Sequence, residues 1–298
     1  MRPAEKEQLQ KRLQSAAALT EAELNQWLSE TYSGSTGLAD AMRYSVLGGG
    51  KRIRAFLTLE FARVFGASDE AALPFACAIE MVHAYSLVHD DMPCMDNDDM
   101  RRGKPSCHKA FGEANALLAG DTLLTQAFEV AASNPYASGD SVLLAVREIA
   151  KGAGALGMAG GQYYDLAAGC SSLEELFRLQ NMKTGALIRT AALLGYYAAE
   201  SSPNEAVVQA ICTYAENIGL AFQIVDDLLD VNGSTLALGK PVGSDQKNGK
   251  KTILSFLSPA EAQQLARTCT DNAKNAVQSY TGSETLCALA EYLLERKS

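Results

Sequence analysis

The stretch HDDMPCMDNDDMRRG at 89–103 gathers Asp90, Asp91, Asp96, Asp98 and Asp99 with Arg101 and Arg102. Carboxylates at that density repel one another, and two of them end an apolar run where a helix dipole already disfavours negative charge. Multivalent cations are the simplest remedy. A second group, Asp226, Asp227 and Asp230, lies in FQIVDDLLD at 222–230. Helical spacing puts Asp226 and Asp230 on one face, four apart, with Asp227 to the side. Acid runs ordinarily mark a solvated surface. Two of them, each closing an apolar helix and each followed by a basic loop containing glycine, point instead to a bound ligand. Oxygen donors without His or Cys ligand spacing select Mg²⁺ or Mn²⁺, and magnesium takes one or two protein carboxylates plus substrate phosphates. An EF-hand does not fit, because a loop begun at Asp96 would have Arg101 where its glycine belongs.

The cations complete the pattern. Lys51 and Arg54 lie three apart beside a glycine run, His83 lies two turns before Asp90, and Arg101 and Arg102 follow the first acids. Arginine grips phosphate oxygens bidentately and lysine acts as a point charge. An acid cluster would hold one diphosphate through metal, while a basic group without acids would hold a second phosphorylated molecule directly. Two such substrates beside an apolar interior predict the joining of greasy chains rather than phosphate transfer.

The elements that must position these residues read as helices. Apolar periodicity predicts helices over 5–30, 38–47, 52–66, 69–91, 113–132, 140–168, 173–199 and 204–230, with two more near 251–277 and 282–296. Residues 92–108 are polar and basic, hence a loop; 231–250 mix glycine and lysine too densely to be helical throughout. No period-2 run stands out, so the expectation is one all-α domain over 1–298, a large helical bundle. With 298 residues, 47% of them hydrophobic, the chain can bury a large core. The formal charge of −9 argues against nucleic acid or an anionic membrane as the main partner. No signal-like apolar run opens the chain and no stable membrane insertion is expected, which predicts a cytoplasmic protein. The cysteines, seven in number and without a CxxC pair, read as reduced residues rather than a zinc site.

The ordered segments GGKRIR, EMVHAYSLVHDDMPCMDNDDMRRGKPSCHKAFGEANALLAGDTLL, GMAGGQYYDL, KTGALIR, AFQIVDDLLDVNG and LGKPVGSDQKNGKKT resemble the trans-isoprenyl diphosphate synthases, most closely the bacterial-type farnesyl diphosphate synthase branch (geranyltranstransferases). The resemblance runs from about residue 38 to 256. It implies an orthogonal helical bundle of the isoprenoid synthase type with a deep central cavity, usually a homodimer. It also implies three Mg²⁺ ions around an allylic diphosphate, held by Asp90, Asp91 and Asp96 of the first motif and by Asp226, Asp227 and Asp230 of the second. Arg101, Lys183, Lys240 and Gln223 would contact that diphosphate, with Thr184 completing a Lys-Thr pair and Lys250 on a closing loop. Lys51, Arg54, His83 and Arg102 would hold the diphosphate of isopentenyl diphosphate. The reaction implied is head-to-tail condensation with dimethylallyl and geranyl diphosphate to farnesyl diphosphate, by ionisation, condensation and elimination. The released diphosphate would serve as base.

Tyr85, five residues before the first aspartate, and Ser86 beside it resemble the floor that stops elongation at fifteen carbons. A geranylgeranyl diphosphate synthase is the alternative on the same chemistry. Ala55 replaces a usual proline and Asn181 a usual histidine. Arg296 or Lys297 could lie over the isopentenyl site. A terpene cyclase would leave Lys51 and Arg54 without purpose, and a histidine-aspartate phosphohydrolase would need more than the three histidines present. A scaffold that had lost catalysis would not be expected to keep both acid clusters.

Overall fold

A helix that is apolar on all sides has to be a core helix. The segment 69–90 is one, and its burial organises much of what surrounds it. The computed structural model describes residues 1–30, 36–167, 170–232 and 251–296. Regular structure among them is helical apart from a hairpin of two-residue strands, so the expected all-α class is what the protein has. The chain divides into two compact units, one of Gln10–Ile149 with Leu193–Pro203, the other of Met1–Leu9, Ala150–Ala192 and the chain from Asn204 onward.

The first unit contains most of α1 (Pro3–Glu30), then α2 (Thr36–Val46), α3 (Ile53–Val64), α4 (Asp69–Asp90), a hairpin of β1 (Met100–Arg101) and β2 (Lys104–Pro105), α5 (Cys107–Phe111), α6 (Glu113–Ala132) and most of α7 (Gly139–Ala153). Ser68 caps α4 by accepting from the Ala71 amide, and Asp69 and Glu70 complement the dipole in its first turn. Phe56, Phe61, Phe75, Ile79 and Met81 of α3 and α4 are fully buried. Each contributes about 1.5–3 kcal/mol by leaving water. Helix α4 has the length and hydropathy to cross a membrane, but 83% of the qualifying window is buried within the protein.

The second unit contains α8 (Met158–Ala167), α9 (Leu173–Gln180), a π-helical turn at Asn181–Gly185, the start of α10 (Ala186–Ala199), α11 (Glu205–Asn232), a 3₁₀ turn at Ile253–Ser255, α12 (Pro259–Val277) and α13 (Glu284–Glu295). Helix α11 is its axis. Tyr214, fully buried, donates its hydroxyl to the Leu286 carbonyl of α13 at 2.9 Å. Lower down, Ile224 and Val225 pack with Leu176, Ile253, Ala262 and Ala266.

Two predicted helices and one predicted loop differ in detail. The one expected over 140–168 is two, because Gly154 and Gly157 close a turn through the Gly157 N–H···O Gly154 bond at 3.0 Å. A Cβ at Gly157 would overlap the Gly152 carbonyl. The helix expected from 251 starts at Pro259, where Ser258 and Glu261 form a reciprocal capping box. The loop at 92–108 contains the hairpin, whose central residues Arg102 and Gly103 both have positive φ (52° and 75°), as a type I′ turn requires. The seven cysteines, all among the described residues, form no disulfide.

Candidate active site

In the first unit, α4 delivers Asp90 and Asp91 to its carboxyl end, and the chain then folds back so that the Asp96 amide donates to the Asp90 carbonyl at 2.9 Å. Asp90 and Asp96 thus sit on one turn, both half-buried. Asp91 is buried at 2% exposure. Arg101 grips it bidentately, its Nε lying 3.1 Å from both carboxylate oxygens and its Nη2 on Oδ1. Arg101 also reaches Asp98 at 3.5 Å. The pairing holds the Arg101 guanidinium above its usual pKa against desolvation. Asp91 therefore holds a phosphate-binding candidate in place, and offering its oxygens to a metal requires Arg101 to exchange them for substrate.

Beside this lies the basic group. Arg102, in the left-handed region, donates to the Gly49 carbonyl and lies against Gly50, whose φ of 119° disfavours any side chain and where a Cβ would come 3.0 Å from the guanidinium carbon. Arg54 and His83 share this environment. Desolvation first, and Arg102 second among lowering influences, bring Arg54 down to about 10, with Glu80 opposing. Desolvation and then Arg54 and Arg102 push His83 well below 6.5, so it is neutral at physiological pH. Two arginines beside a neutral histidine form a basic environment suited to an anionic ligand. Lys51 is exposed at the head of α3.

Glu80, which sequence reasoning passed over, anchors this loop. It is 2% exposed, accepts from Arg52 Nη1 at 3.3 Å and receives the Ala55 amide at 3.1 Å. Ala55 thus supplies a donor that proline in its place could not. A lone acid inside the apolar run ACAIEMV was the available signal, since buried carboxylates need partners. Tyr85 (8% exposed) and Ser86 (7%) are also buried on α4. Burial, followed by Asp90, raises Tyr85 to about 12, so its phenol is neutral. Ser86 spends its hydroxyl on the His83 carbonyl at 2.9 Å.

In the second unit, Lys183 lies in the π-helical turn, a local widening frequent at functional positions. Its ammonium pairs with Asp165 of α8 at 2.7 Å. Gly161 lets α8 approach so closely that a Cβ there would overlap the Lys183 backbone. Asp165 was not predicted, although it is the one acid in GMAGGQYYDL. Thr184 adjoins Lys183, and the same turn packs on α11 through Gly185 and Gly219, a Cβ on the latter meeting the Gly185 Cα at 3.5 Å. One, two and three turns further along α11 stand Gln223, Asp226 and Asp230, all half-buried.

Asp226 is held by Arg296, whose Nη2 lies 2.5 Å from its Oδ1 and 2.7 Å from the Phe222 carbonyl, with the guanidinium 3.8 Å above the Phe222 ring. Arg296 was expected over the isopentenyl site; here it covers an acid of the second cluster. Asp227 accepts the Ile253 amide at 2.8 Å, which ties the 3₁₀ turn at Ile253–Ser255 to α11. Lys240, Lys250 and Lys297 lie outside the described residues.

No group of three or more His, Cys, Asp or Glu side chains forms a closed metal cage among the described residues. The donor chemistry nevertheless fits Mg²⁺. Asp90, Asp96, Asp226 and Asp230 are half-buried carboxylates, and magnesium needs only one or two of them when phosphate oxygens supply the rest.

The chain matches the polyprenyl synthetase family over residues 35–284. It is 43% identical over 270 residues to the farnesyl diphosphate synthase of Escherichia coli (strain K12), covering 88% of this chain and 90% of that one. It is 40% identical over 266 residues to geranylgeranyl pyrophosphate synthase 7, chloroplastic, of Arabidopsis thaliana, covering 87% and 76% respectively. The apo crystal structure of an FPP/GFPP synthase from Zymomonas mobilis superposes with a TM-score of 0.86 at 35% identity, over 96% of this chain and 99% of that one. With the helical architecture, the acid-bearing α4 and α11 and these likenesses in agreement, the chain belongs to the polyprenyl synthetase family and carries the isoprenoid synthase fold, whose chemistry is trans-prenyl chain elongation.

Proposed function

We propose that this protein is a farnesyl diphosphate synthase, adding isopentenyl diphosphate to dimethylallyl and then geranyl diphosphate. The observation that carries the product length is Tyr85, a buried, neutral aromatic side chain on the helix that ends in Asp90. A growing chain directed along α4 meets that ring, and a bulky wall favours fifteen carbons over twenty. The alternative, a geranylgeranyl diphosphate synthase, draws on the relatives of that name and on no feature of the site itself.

Asp90, Asp91, Asp96, Asp226 and Asp230 are the proposed metal ligands, for Mg²⁺ or, in substitution, Mn²⁺. When bound, the metal supplies charge stabilisation to the departing diphosphate. Arg101 and Lys183, with Lys240, meet the same growing charge, so the allylic C–O bond breaks to a delocalised cation. Gln223, Thr184 and Lys250 complete the allylic contacts. Lys51, Arg54, His83 and Arg102 hold isopentenyl diphosphate with its double bond toward that cation. Its terminal carbon forms the new C–C bond, and the proton lost afterwards passes to released diphosphate, since His83 is spent on binding. No covalent enzyme intermediate is needed.

We place residues 1–298 in a single functional domain acting in the cytoplasm. A homodimer accords with α6, which leaves Leu117 (47%) and Leu118 (53%) exposed, an apolar face that a second copy would cover. Incubation with Mg²⁺, isopentenyl diphosphate and either dimethylallyl or geranyl diphosphate, with chromatography of the products, is the direct test. Farnesyl diphosphate as the end product supports the reading. Predominantly twenty-carbon product transfers it to the alternative, and no condensation at all overturns both.

A further inference from the structure

We infer that His89 and Gly120 form a positioning unit that fixes the Tyr85 ring, so that product length is set by α6 as well as by residue 85. The inference rests on the reading of Tyr85 as the floor of the chain pocket. His89 follows Tyr85 by one turn of α4, so the two rings share a face. They meet edge to face, centroids 5.7 Å apart at 79°. The other side of the His89 ring lies in a notch of α6 that exists because residue 120 has no side chain. A Cβ on Gly120 would overlap Nε2 and come within 2.5 Å of Cδ2 and 3.0 Å of Cε1. Within that notch His89 Nε2 lies 3.1 Å from the Leu117 carbonyl and 3.8 Å from Asp121 Oδ1.

The histidine is thereby held at three points: its own helix, the glycine notch and the carbonyl. An imidazole fixed in this way restricts Tyr85 on the side it faces, where an unsupported tyrosine could change rotamer and let a longer chain pass. His89 touches no reacting atom in this scheme. Its effect on specificity passes through Tyr85.

The measurement is the ratio of products of ten, fifteen and twenty carbons made by the full-length enzyme, a ratio that a general loss of turnover or of folded protein does not move. His89→Ala should raise the twenty-carbon share about two- to tenfold, the size of one aromatic edge contact. His89→Gln, which keeps a donor for the Leu117 carbonyl but presents no ring, should do the same. Gly120→Ala should push the imidazole off α6 against Tyr85 and increase the ten-carbon share. The same change made in His89→Ala should have no further effect, because the Cβ then enters empty space. Tyr85→Ala serves as the control for the floor itself. If Tyr85→Ala lengthens the products while the His89 variants leave the ratio unaltered, the positioning role is overturned and the floor stands. An unaltered ratio in Tyr85→Ala removes the floor and the inference with it. Should Gly120→Ala fail to fold by circular dichroism, the two His89 variants decide.

Discussion

Replacing Glu80 by alanine tests whether the proposed second diphosphate site depends on one buried carboxylate. Glu80 and Arg52 have side chains only 3% and 2% exposed and are paired at 3.3 Å. Removing one partner of such a pair leaves the other charge in the interior, at a cost of about 3–5 kcal/mol. Two residual contacts of Arg52 moderate this loss. The Val46 carbonyl at 2.5 Å remains, and Glu21 at 3.2 Å remains too, although its 42% exposure limits that pair to roughly 1 kcal/mol or less. In the other direction, the Ala55 amide loses its acceptor, which costs about 1–3 kcal/mol if it stays buried. A net loss of ~3–5 kcal/mol lowers the thermal midpoint by roughly 5–8 °C in a protein of 298 residues, at about 2.1 cal/mol/K of unfolding entropy per residue. Glu80→Gln, which keeps an acceptor for Ala55 and removes only the charge, should fall between the two. The loss should be functional as well. Glu80 is the charge that supports Arg54 against desolvation, so affinity for isopentenyl diphosphate should fall more than affinity for the allylic substrate. Thermal unfolding and calorimetric titration with each substrate measure both. A Glu80→Ala protein within 1 kcal/mol of wild type, by the same standard of buried-pair costs, or one with equal losses for both substrates, would refute the reasoning.

Three further outcomes follow from the site. Asp90→Ala and Asp226→Ala should retain the helical circular dichroism of the parent while losing condensation by at least ~10²–10³-fold, the scale of losing one charge-stabilising group; unchanged turnover would remove these residues from the proposed roles. Arg296→Gln should free the Asp226 carboxylate. Asp226 is 40% exposed, so the pair is worth about 0.5–1 kcal/mol, and Mn²⁺ affinity read by electron paramagnetic resonance should rise roughly two- to fivefold. Equal or weaker binding in the variant would show that Arg296 does not compete for that acid. His83, neutral in the fold because its pKa is lowered, leaves the unfolded chain with the extra proton below about pH 6.5. Its contribution to stability is therefore present above that pH and is lost as pH falls toward the folded value, by at most about 1.4 kcal/mol per unit. His83→Gln should flatten this slope between pH 7 and 5, as followed by urea unfolding. A variant as acid-sensitive as its parent would be the contrary result.

Helices α4 and α11 were legible from the sequence because the apolar runs that define them are local. The two acid clusters were legible for the same reason: carboxylates adjacent in sequence share an electrostatic problem wherever the chain folds. The glycine breaks were only partly visible. Gly154 and Gly157 cost helix propensity on paper, yet whether a long helix bends, absorbs them or splits depends on what the neighbouring carbonyls meet. The Ser258–Glu261 capping box was in plain sight as S-x-x-E and was overridden by the apolar run before it.

What only the tertiary structure decided is the partner of each charge. Nothing in the spacing says that Asp91 belongs to Arg101, Lys183 to Asp165, or Asp226 to an arginine 70 residues further on. Ion pairs depend on distances of a few ångströms between side chains brought together by apolar packing, and that packing is indifferent to how far apart the residues lie along the chain. Residue types and local periodicity therefore determined which groups could do chemistry here. The burial of α4 and α11 determined which of those groups are already engaged with one another before any substrate arrives.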